Sequence, residues 1–570
     1  MKLYDHLTKI IKTIGNDNSD NSDNSDNNST NYINIYVCGS TVHAISHIGH
    51  ARTYATFDSM RKYLISKGKV VNYGMNITDI DDKINTKVRA LHYFNTINNL
   101  NKLDEILEIN LEIQEYFKSN RLDKISPNIL NCVLQKLEET TEKYVTNGTL
   151  PESVLTPSFT LYKQFIDEKT NLFWKEMEQI NVSKPTTIIR VSDVIPQIEN
   201  MIDTLIQKEF AYESNGSVYF DTANYYKHFE NCNLSNATED DKSIKQNYES
   251  DKKNSQDFAL WKAGKPRSIN FNSKWGLGTV GWHIECSLMS SMMFGNNIHL
   301  HGGGIDLKYP HHHNEVLQSN SYFNISNVFK HFTYAGHVCK NGEKMAQSVG
   351  NYSRLEDYLH QNSANSIRLL FWLVPWYNPM ELTDDLIKQA NILESRIDEF
   401  LSTINFYLSL DKNYPNLNHK STIVDIINNF TEIDLLLENN FKTTEALLLF
   451  GQIMTTTNTA LKNDLIDKVT LKNILRLTNN FLEIIGFVVK SDNISNNISN
   501  SDSNDEILIK KLFELRELLR KNKQYQISDY VRDDLFPSIG YEVQDMKDGP
   551  KIKKIVKIEK TIKSNNSNNK

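Results

Sequence analysis

Within the run HHHNE, His311 and Glu315 stand four residues apart, the spacing that sets two side chains on one face of a helix. An imidazole and a carboxylate so placed form half of a tetrahedral metal site. Thiols from two distant stretches, Cys38 and Cys286, can complete it, and this mixed donor set suits zinc. A cysteine by itself is ordinarily a small buried apolar residue; the histidine run points beyond that reading here.

Two further clusters suit a phosphate-bearing ligand. HIGH, His47 to His50, follows a strand-like run and opens a helical pattern. Backbone N–H groups and the positive dipole end favour phosphate there, and two imidazoles on one turn can add hydrogen bonds to a triphosphate. GEKMAQSVGN, Gly342 to Asn351, is a glycine-bracketed loop able to bring Lys344 to a phosphate. HGGGIDL sets three glycines before Asp306; glycines let a ligand approach the backbone, and the carboxylate can meet an ammonium group. The same glycines also suit a plain tight loop between strand and helix.

The elements that must hold these residues can be read around them. INIYVCG (Ile33 to Gly39) reads as a buried strand, a helix follows from about His47 to Lys67, and VVNYGMNIT (Val70 to Thr78) is a second strand. That order predicts a βαβ unit with a ligand site at the strand ends. From roughly Lys83 to Trp174 the periods are helical, as in an insertion. A second α/β stretch runs from NGSVYFDTA through DFALWK, GWHIEC and IHLHGGG. Leu386, Ala390, Leu393, Ile397, Phe400 and Ile404 then recur as in a packed bundle helix, with Thr383 as its N-cap. Residues 506–560 read as a small helix-then-strand module.

Two polar tracts, Asn16 to Asn31 and Ser491 to Asp505, bury no apolar area and read as a disordered loop and a linker. At 570 residues the chain holds several cores. No window approaches the ~18 apolar residues of a membrane span, and the N-terminus lacks a secretory pattern. Five scattered cysteines argue for a reducing compartment. A net charge of −7 disfavours a basic coat for DNA, although the tail from Lys551 to Lys563 is basic, either a solvated end or an RNA contact.

In order, YVCGSTV, HIGHART, NITDIDDKI, NGSVYFDTA, DFALWK, GWHIECS, HGGGIDL, PHHHNE and the KM-containing loop resemble the class I cysteinyl-tRNA synthetases, and the likeness extends into NNFKTTEA. The resemblance implies an α/β Rossmann-type catalytic domain with a helical connective insertion, an all-α anticodon-binding bundle and a small C-terminal α/β module. The expected boundaries are 1–90 for the first catalytic half (16–31 disordered), 91–250 for the insertion, 251–350 for the second half and 351–382 for a stem-contact region. The bundle then takes 383–490, the linker 491–505, and the anticodon module with its basic tail 506–570.

The resemblance further implies one zinc ion on Cys38, Cys286, His311 and Glu315 that binds the substrate thiol. Gly39, Thr78, Trp282 and Asp306 fall to the amino acid, and His47, Gly49, His50, Lys344 and Gln347 to ATP with magnesium, with His47, His50 and Lys344 catalytic. L-cysteine, ATP and tRNA(Cys) are the implied substrates. The insertion looks eukaryotic, which implies a cytoplasmic address, with the mitochondrial matrix as the alternative. Two departures stand out: His313 replaces a usual acidic residue, and KMAQS replaces KMSKS, so that neutral Gln347 stands for the second lysine. These leave two other readings, a weakened or inactive paralogue that binds tRNA or cysteine, and a cysteine:amine ligase of the mycothiol-pathway type.

Overall fold

The computed structural model describes residues 1–6, 8–14, 32–106, 109–229, 251–345, 353–410, 420–489 and most of 512–554. Both polar tracts, Gln347 and the basic tail beyond Lys554 lie outside the described residues.

The chain's contacts divide it into two units, Met1–Val488 and Val489–Lys570. In the first, the elements that build the site are β1 (Tyr32–Val37), α1 (Ile48–Ser66), β2 (Val70–Ile77), β3 (Thr187–Arg190), α2 (Trp282–Phe294), β4 (Leu300–Gly304), α3 (His313–Phe323) and β5 (Phe332–Ala335). The strands form one parallel sheet in the order β5-β4-β1-β2-β3. Strand order therefore reverses between β1 and β4, and neighbouring chains leave that point in opposite directions. In such sheets the ligand crevice lies at this point, outside the carboxyl ends of the strands.

β1 shows why the sheet is buried on both faces. Ile33, Ile35 and Val37 pack with α1 and the helices beyond it, whereas Tyr36 and Cys38 enter the opposite core with α2 and α3. Alternation with period two sends successive side chains to opposite faces, and each fully buried Ile or Val contributes about 1.5–3 kcal/mol. α1 is likewise apolar on several sides, burying Ile48, Tyr54, Phe57, Met60, Tyr63 and Leu64. It is a core helix flanked by packing partners.

The insertion forms helices Asp82–Asn99, Leu111–Lys118, Pro127–Thr146 and Phe159–Gln179, with a core of its own around Val88, Phe94, Leu137 and Phe165. Asn110, Ser126 and Ser158 cap three of them by accepting N–H bonds, as their side chains favour. The expected boundary at 90 cuts the first of these helices, and β3, at 187–190 within the supposed insertion, belongs to the parallel sheet. A four-stranded antiparallel sheet of Ala211–Ser214, Ser217–Phe220, Phe258–Ala263 and Gly278–Val280 also straddles the boundary drawn at 250. Strand pairing joins segments that composition separates. The same holds at 350, where Met380–Glu381 pairs with Val338–Lys340.

Helices Asp384–Ser409, Lys420–Glu438, Thr443–Lys462 and Lys468–Ile485 follow, and Thr383 caps the first by accepting from the Leu386 N–H at 3.2 Å. The N-terminus, which carries only a weak amphipathic signal, is a hairpin of Lys2–Asp5 with Ile10–Thr13. Its Asp5 accepts from the Phe332 N–H at 3.0 Å and its Tyr4 N–H donates to Asn440 at 2.9 Å. The second unit, by itself, carries a helical stretch from Tyr525 and a hairpin of Tyr541–Met546 with Gly549–Lys554 over Val531, Phe536 and Val543.

A buried ion pair ties α1 to the helix Ala364–Trp372, which in turn bonds the end of the last bundle helix. Arg368 Nη2 lies 2.9 Å from Asp58 Oδ2 and its Nε donates to the Ile485 carbonyl at 2.6 Å. Lys62 also reaches Asp58, at 2.9 Å. Arg368→Met is expected to lower the urea midpoint by about 3 kcal/mol equivalent, the low end for a broken buried pair because Lys62 remains. An unmoved midpoint would show that the pair holds nothing.

Candidate active site

Cys38 follows β1 directly, Cys286 lies in the second turn of α2, His311 in the turn leading into α3, and Glu315 in the first turn of α3. All four are buried, and one donor atom of each lies within 4.8 Å of the others. Cys38 Sγ is 3.5 Å from Cys286 Sγ, 3.6 Å from His311 Nε2 and 3.6 Å from Glu315 Oε1, while His311 Nε2 is 3.0 Å from Glu315 Oε1. Donors bound to one zinc at about 2.0–2.3 Å in a tetrahedron stand roughly 3.3–3.8 Å apart, so the set fits such an ion.

The electrostatics agree. Burial pushes the Cys38 thiol well above its usual range, with Cys286 adding to it. Burial also acts to raise Cys286, but hydrogen bonds from Cys38 and His311 bring it down to about 6. For His311 burial opposes the proton, yet Glu315 and Cys286 hold its value up at about 10. The four groups thus divide protons among themselves, a conflict that a cation at their centre removes.

A second set, Cys38, His301, His312 and Glu315, overlaps the first. His301 Nε2 is 3.0 Å from Glu315 Oε2, and His312 Nδ1 is 3.1 Å from the Tyr334 hydroxyl. His283 Nδ1 is 3.0 Å from His311 Nδ1, the place an outer partner takes behind an imidazole that could ligate a metal. Sequence reasoning passed over His283, His301 and His312; the first neighbours Trp282, and the others lie in the two runs already singled out.

Trp282, at the start of α2, stacks its ring on His311 with centroids 4.5 Å apart. Thr78 Oγ1 accepts from Asn76 Nδ2 at 3.0 Å and donates to Glu285 Oε2 at 3.1 Å. The Gly39 N–H donates to Asn76 Oδ1 at 2.7 Å. A Cβ at Gly39 would stand 1.7 Å from the Asn76 carbonyl oxygen, so only glycine lets the two strand ends come this close. Asn76 and Glu285, which lie inside the runs NITDIDDKI and GWHIECS without a role of their own there, therefore hold Gly39 and Thr78 in place.

His47 is the N-cap of α1, its Nδ1 accepting from the His50 N–H at 3.2 Å, and the two rings stack with centroids 3.7 Å apart. The helix thus begins one residue later than expected. Burial takes His47 well below its usual range and His50 down to about 4, which favours the neutral form of each ring. Lys344 Nζ lies 3.7 Å from Asp306 Oδ2, both half exposed. Buried Arg52, from the same turn region of α1, donates to the carbonyls of Gly336, His337 and Pro375 at 3.0–3.1 Å and so fixes the strand that leads to Lys344.

The family described as tRNA synthetases class I (C) catalytic domain matches residues 24–392. A cysteine-tRNA ligase of Methanococcus aeolicus is 32% identical, covering 94% of this chain and 96% of the relative. The chain belongs to the class I cysteinyl-tRNA synthetases. The cytoplasmic cysteine-tRNA ligase of Xenopus laevis is 29% identical over 93% of the chain and 80% of its own length. An arginyl-tRNA synthetase of Campylobacter jejuni shares the fold, with a TM-score of 0.51 at 14% identity over 80% of this chain and 93% of the other. A methionyl-tRNA synthetase of Mycobacterium tuberculosis does so at 0.50 and 12%, over 81% and 92%. As a cysteinyl-tRNA synthetase the protein is an ATP-dependent ligase whose substrates are an amino acid and tRNA. No described helix is long and apolar enough to cross a membrane.

Glu176, from the insertion helix Phe159–Gln179, accepts from the Ser46 N–H at 3.0 Å just ahead of HIGH. Burial raises its carboxyl from 4.5 to about 7 despite that bond. A raised folded value means that stability from this group is full below pH 4.5 and lost as pH rises to 7. Relative to Glu176→Gln, the parent is expected to lose about 2–3 kcal/mol between pH 4.5 and 7.5 in urea unfolding. Parallel curves for the two proteins would overturn the assignment.

Proposed function

We propose that this ligase activates L-cysteine at a zinc ion held by Cys38, Cys286, His311 and Glu315 and transfers it to tRNA(Cys). The observation that carries this reading is the convergence of those four buried donors beside the strand-order reversal. Zinc there supplies a strong preference for a thiol over an alcohol, which separates cysteine from serine. An apolar pocket alone gives only ~10²-fold discrimination.

The chain's own residues do the positioning. His283 orients His311, and Trp282 closes one side of the amino acid pocket over that imidazole. Thr78, braced by Asn76 and Glu285, and the backbone at Gly39 face the amino acid, and Asp306 takes its ammonium group. The N-terminal turn of α1, with His47, Gly49 and His50, receives the ATP phosphates together with magnesium. One carboxylate oxygen of cysteine then attacks the α-phosphorus in line; the new C–O–P linkage forms as the bond to pyrophosphate breaks, and Lys344 stabilises the charge on the departing group. The terminal ribose hydroxyl of tRNA next attacks the acyl carbon, releasing AMP. Such catalysis is positioning and charge stabilisation, without a protein nucleophile.

Gln347 lies outside the described residues, and its role rests on its place in the loop. A neutral amide there in place of lysine costs about two to three orders of magnitude in activation rate. The bundle from 383 and the module from 506 read the anticodon end, and the enzyme works in the cytoplasm, as its Xenopus relative is named.

The test is cysteine-dependent exchange of pyrophosphate into ATP on zinc-loaded protein. The parent should exchange slowly, Gln347→Lys should be about 100-fold faster, and Cys286→Ser should lose both bound zinc and exchange. Metal content unchanged by Cys286→Ser would overturn the zinc assignment. Absent exchange in a parent that still binds tRNA would leave the paralogue reading.

A further inference from the structure

The two stems of the KM-containing signature loop are fixed in different ways. Upstream, Lys344 pairs with Cys339 in an antiparallel ladder, and the buried Met345 donates its N–H to the Val338 carbonyl at 2.9 Å. Downstream, the stem lies directly on the HIGH turn. Ile48 N–H donates to the Ser353 carbonyl at 3.3 Å, Leu355 N–H donates to the Ser46 carbonyl at 2.9 Å, and His47 and Arg354 face each other in a β-bridge.

What presses this downstream stem into place comes from the insertion. Arg354 Nε donates to Asp123 Oδ2 at 3.1 Å, and Asp123 belongs to a short helical turn, Leu122–Lys124, of the insertion, its side chain 1% exposed. Beside it Arg121 Nη2 donates to Glu356 Oε2 at 2.8 Å, and Arg121 Nε lies 3.7 Å from Asp123 Oδ1. Two pairs thus cross the same junction with alternating sign, Arg121 and Asp123 on one side, Glu356 and Arg354 on the other. Burying a carboxylate this deeply is costly unless cations or hydrogen-bond donors meet it, and here the loop stem supplies one cation.

We propose that Asp123 is a positioning residue for ATP activation, acting through Arg354 to set the signature-loop stem against His47. The insertion thereby reaches the nucleotide site without touching substrate. The inference rests on the assignment of His47 and Lys344 to that site. In a chain whose loop carries Gln347 in place of a second lysine, the stem's placement bears a larger share of the orientation that remains.

The experiment compares the full-length parent with Asp123→Asn, Arg354→Gln, the double variant and Lys344→Ala. Two readouts are taken on zinc-loaded protein, cysteine-dependent exchange of pyrophosphate into ATP and hydrogen exchange at the Ile48 and Leu355 amides. Each single variant is expected to cut the exchange kcat about tenfold or raise KM for ATP as much, with KM for cysteine within about twofold, because misplacement of one stem misaligns only the nucleotide. The double variant should be no worse than either single one, as for residues acting as a unit, and both amides should lose protection in all three. Lys344→Ala losing exchange while the Asp123 and Arg354 variants keep parental rates and parental protection would overturn this inference alone. Lys344→Ala at the parental rate would instead overturn the nucleotide-site assignment, and the inference with it. Unchanged protection in the single variants overturns it whatever the rates, and equal losses in KM for cysteine and ATP mark a merely structural role.

Discussion

A carboxylate, an imidazole and two thiols taken out of water together are tolerated only when each is neutralised or shared, because burying an unpartnered polar or charged group costs several kcal/mol. The surroundings of Cys38, Cys286, His311 and Glu315 follow from that constraint. α2 and α3 must run side by side to bring Cys286 against Glu315, the end of β1 must stop at the crevice to deliver Cys38, and His283 must back His311. Any slip of β1 by one residue would send Cys38 to the opposite core and replace it with a neighbour of the wrong chemistry. The same alternation that packs Ile33, Ile35 and Val37 against α1 therefore fixes the thiol.

Much of this was legible in the sequence. Spacing alone paired His311 with Glu315, and strand patterning gave β1, α1 and β2 to within a residue or two. The zinc candidates needed only residue types that rarely coincide. What stayed hidden were partners chosen by close approach. Asn76 and Glu285 lie inside NITDIDDKI and GWHIECS, yet residue type and spacing give them no role; they matter because Gly39 admits the Asn76 backbone and Thr78 sits between two polar side chains. Sheet membership was equally opaque: β3 lies inside the expected insertion, and an antiparallel sheet crosses residue 250, since hydrogen bonds between strands leave no mark on local composition. The N-terminal hairpin was missed because its four-residue strands are too short to show a period.

α1 also links the chemistry to the rest of the first unit. Its N-cap histidine opens toward the crevice, Arg52 holds the strand before the signature loop, and Asp58 answers Arg368 beside the last bundle helix. Charge and hydrogen bonding at three successive levels of one helix thus relate the bundle's end to the loop's beginning.

The hairpin at residues 1–14 has a consequence for how the protein is made. Tyr4 bonds Asn440 across 436 residues of chain, and Asp5 waits for Phe332. At about 5–20 residues per second on the ribosome, the hairpin spends about 20–90 s outside the tunnel before its last partner appears. During that time Ile10 and Ile11, both still exposed in the finished fold, and the buried Leu3 are available to other chains. The hairpin is made long before it is secured, so nascent-chain chaperones have prolonged access to it.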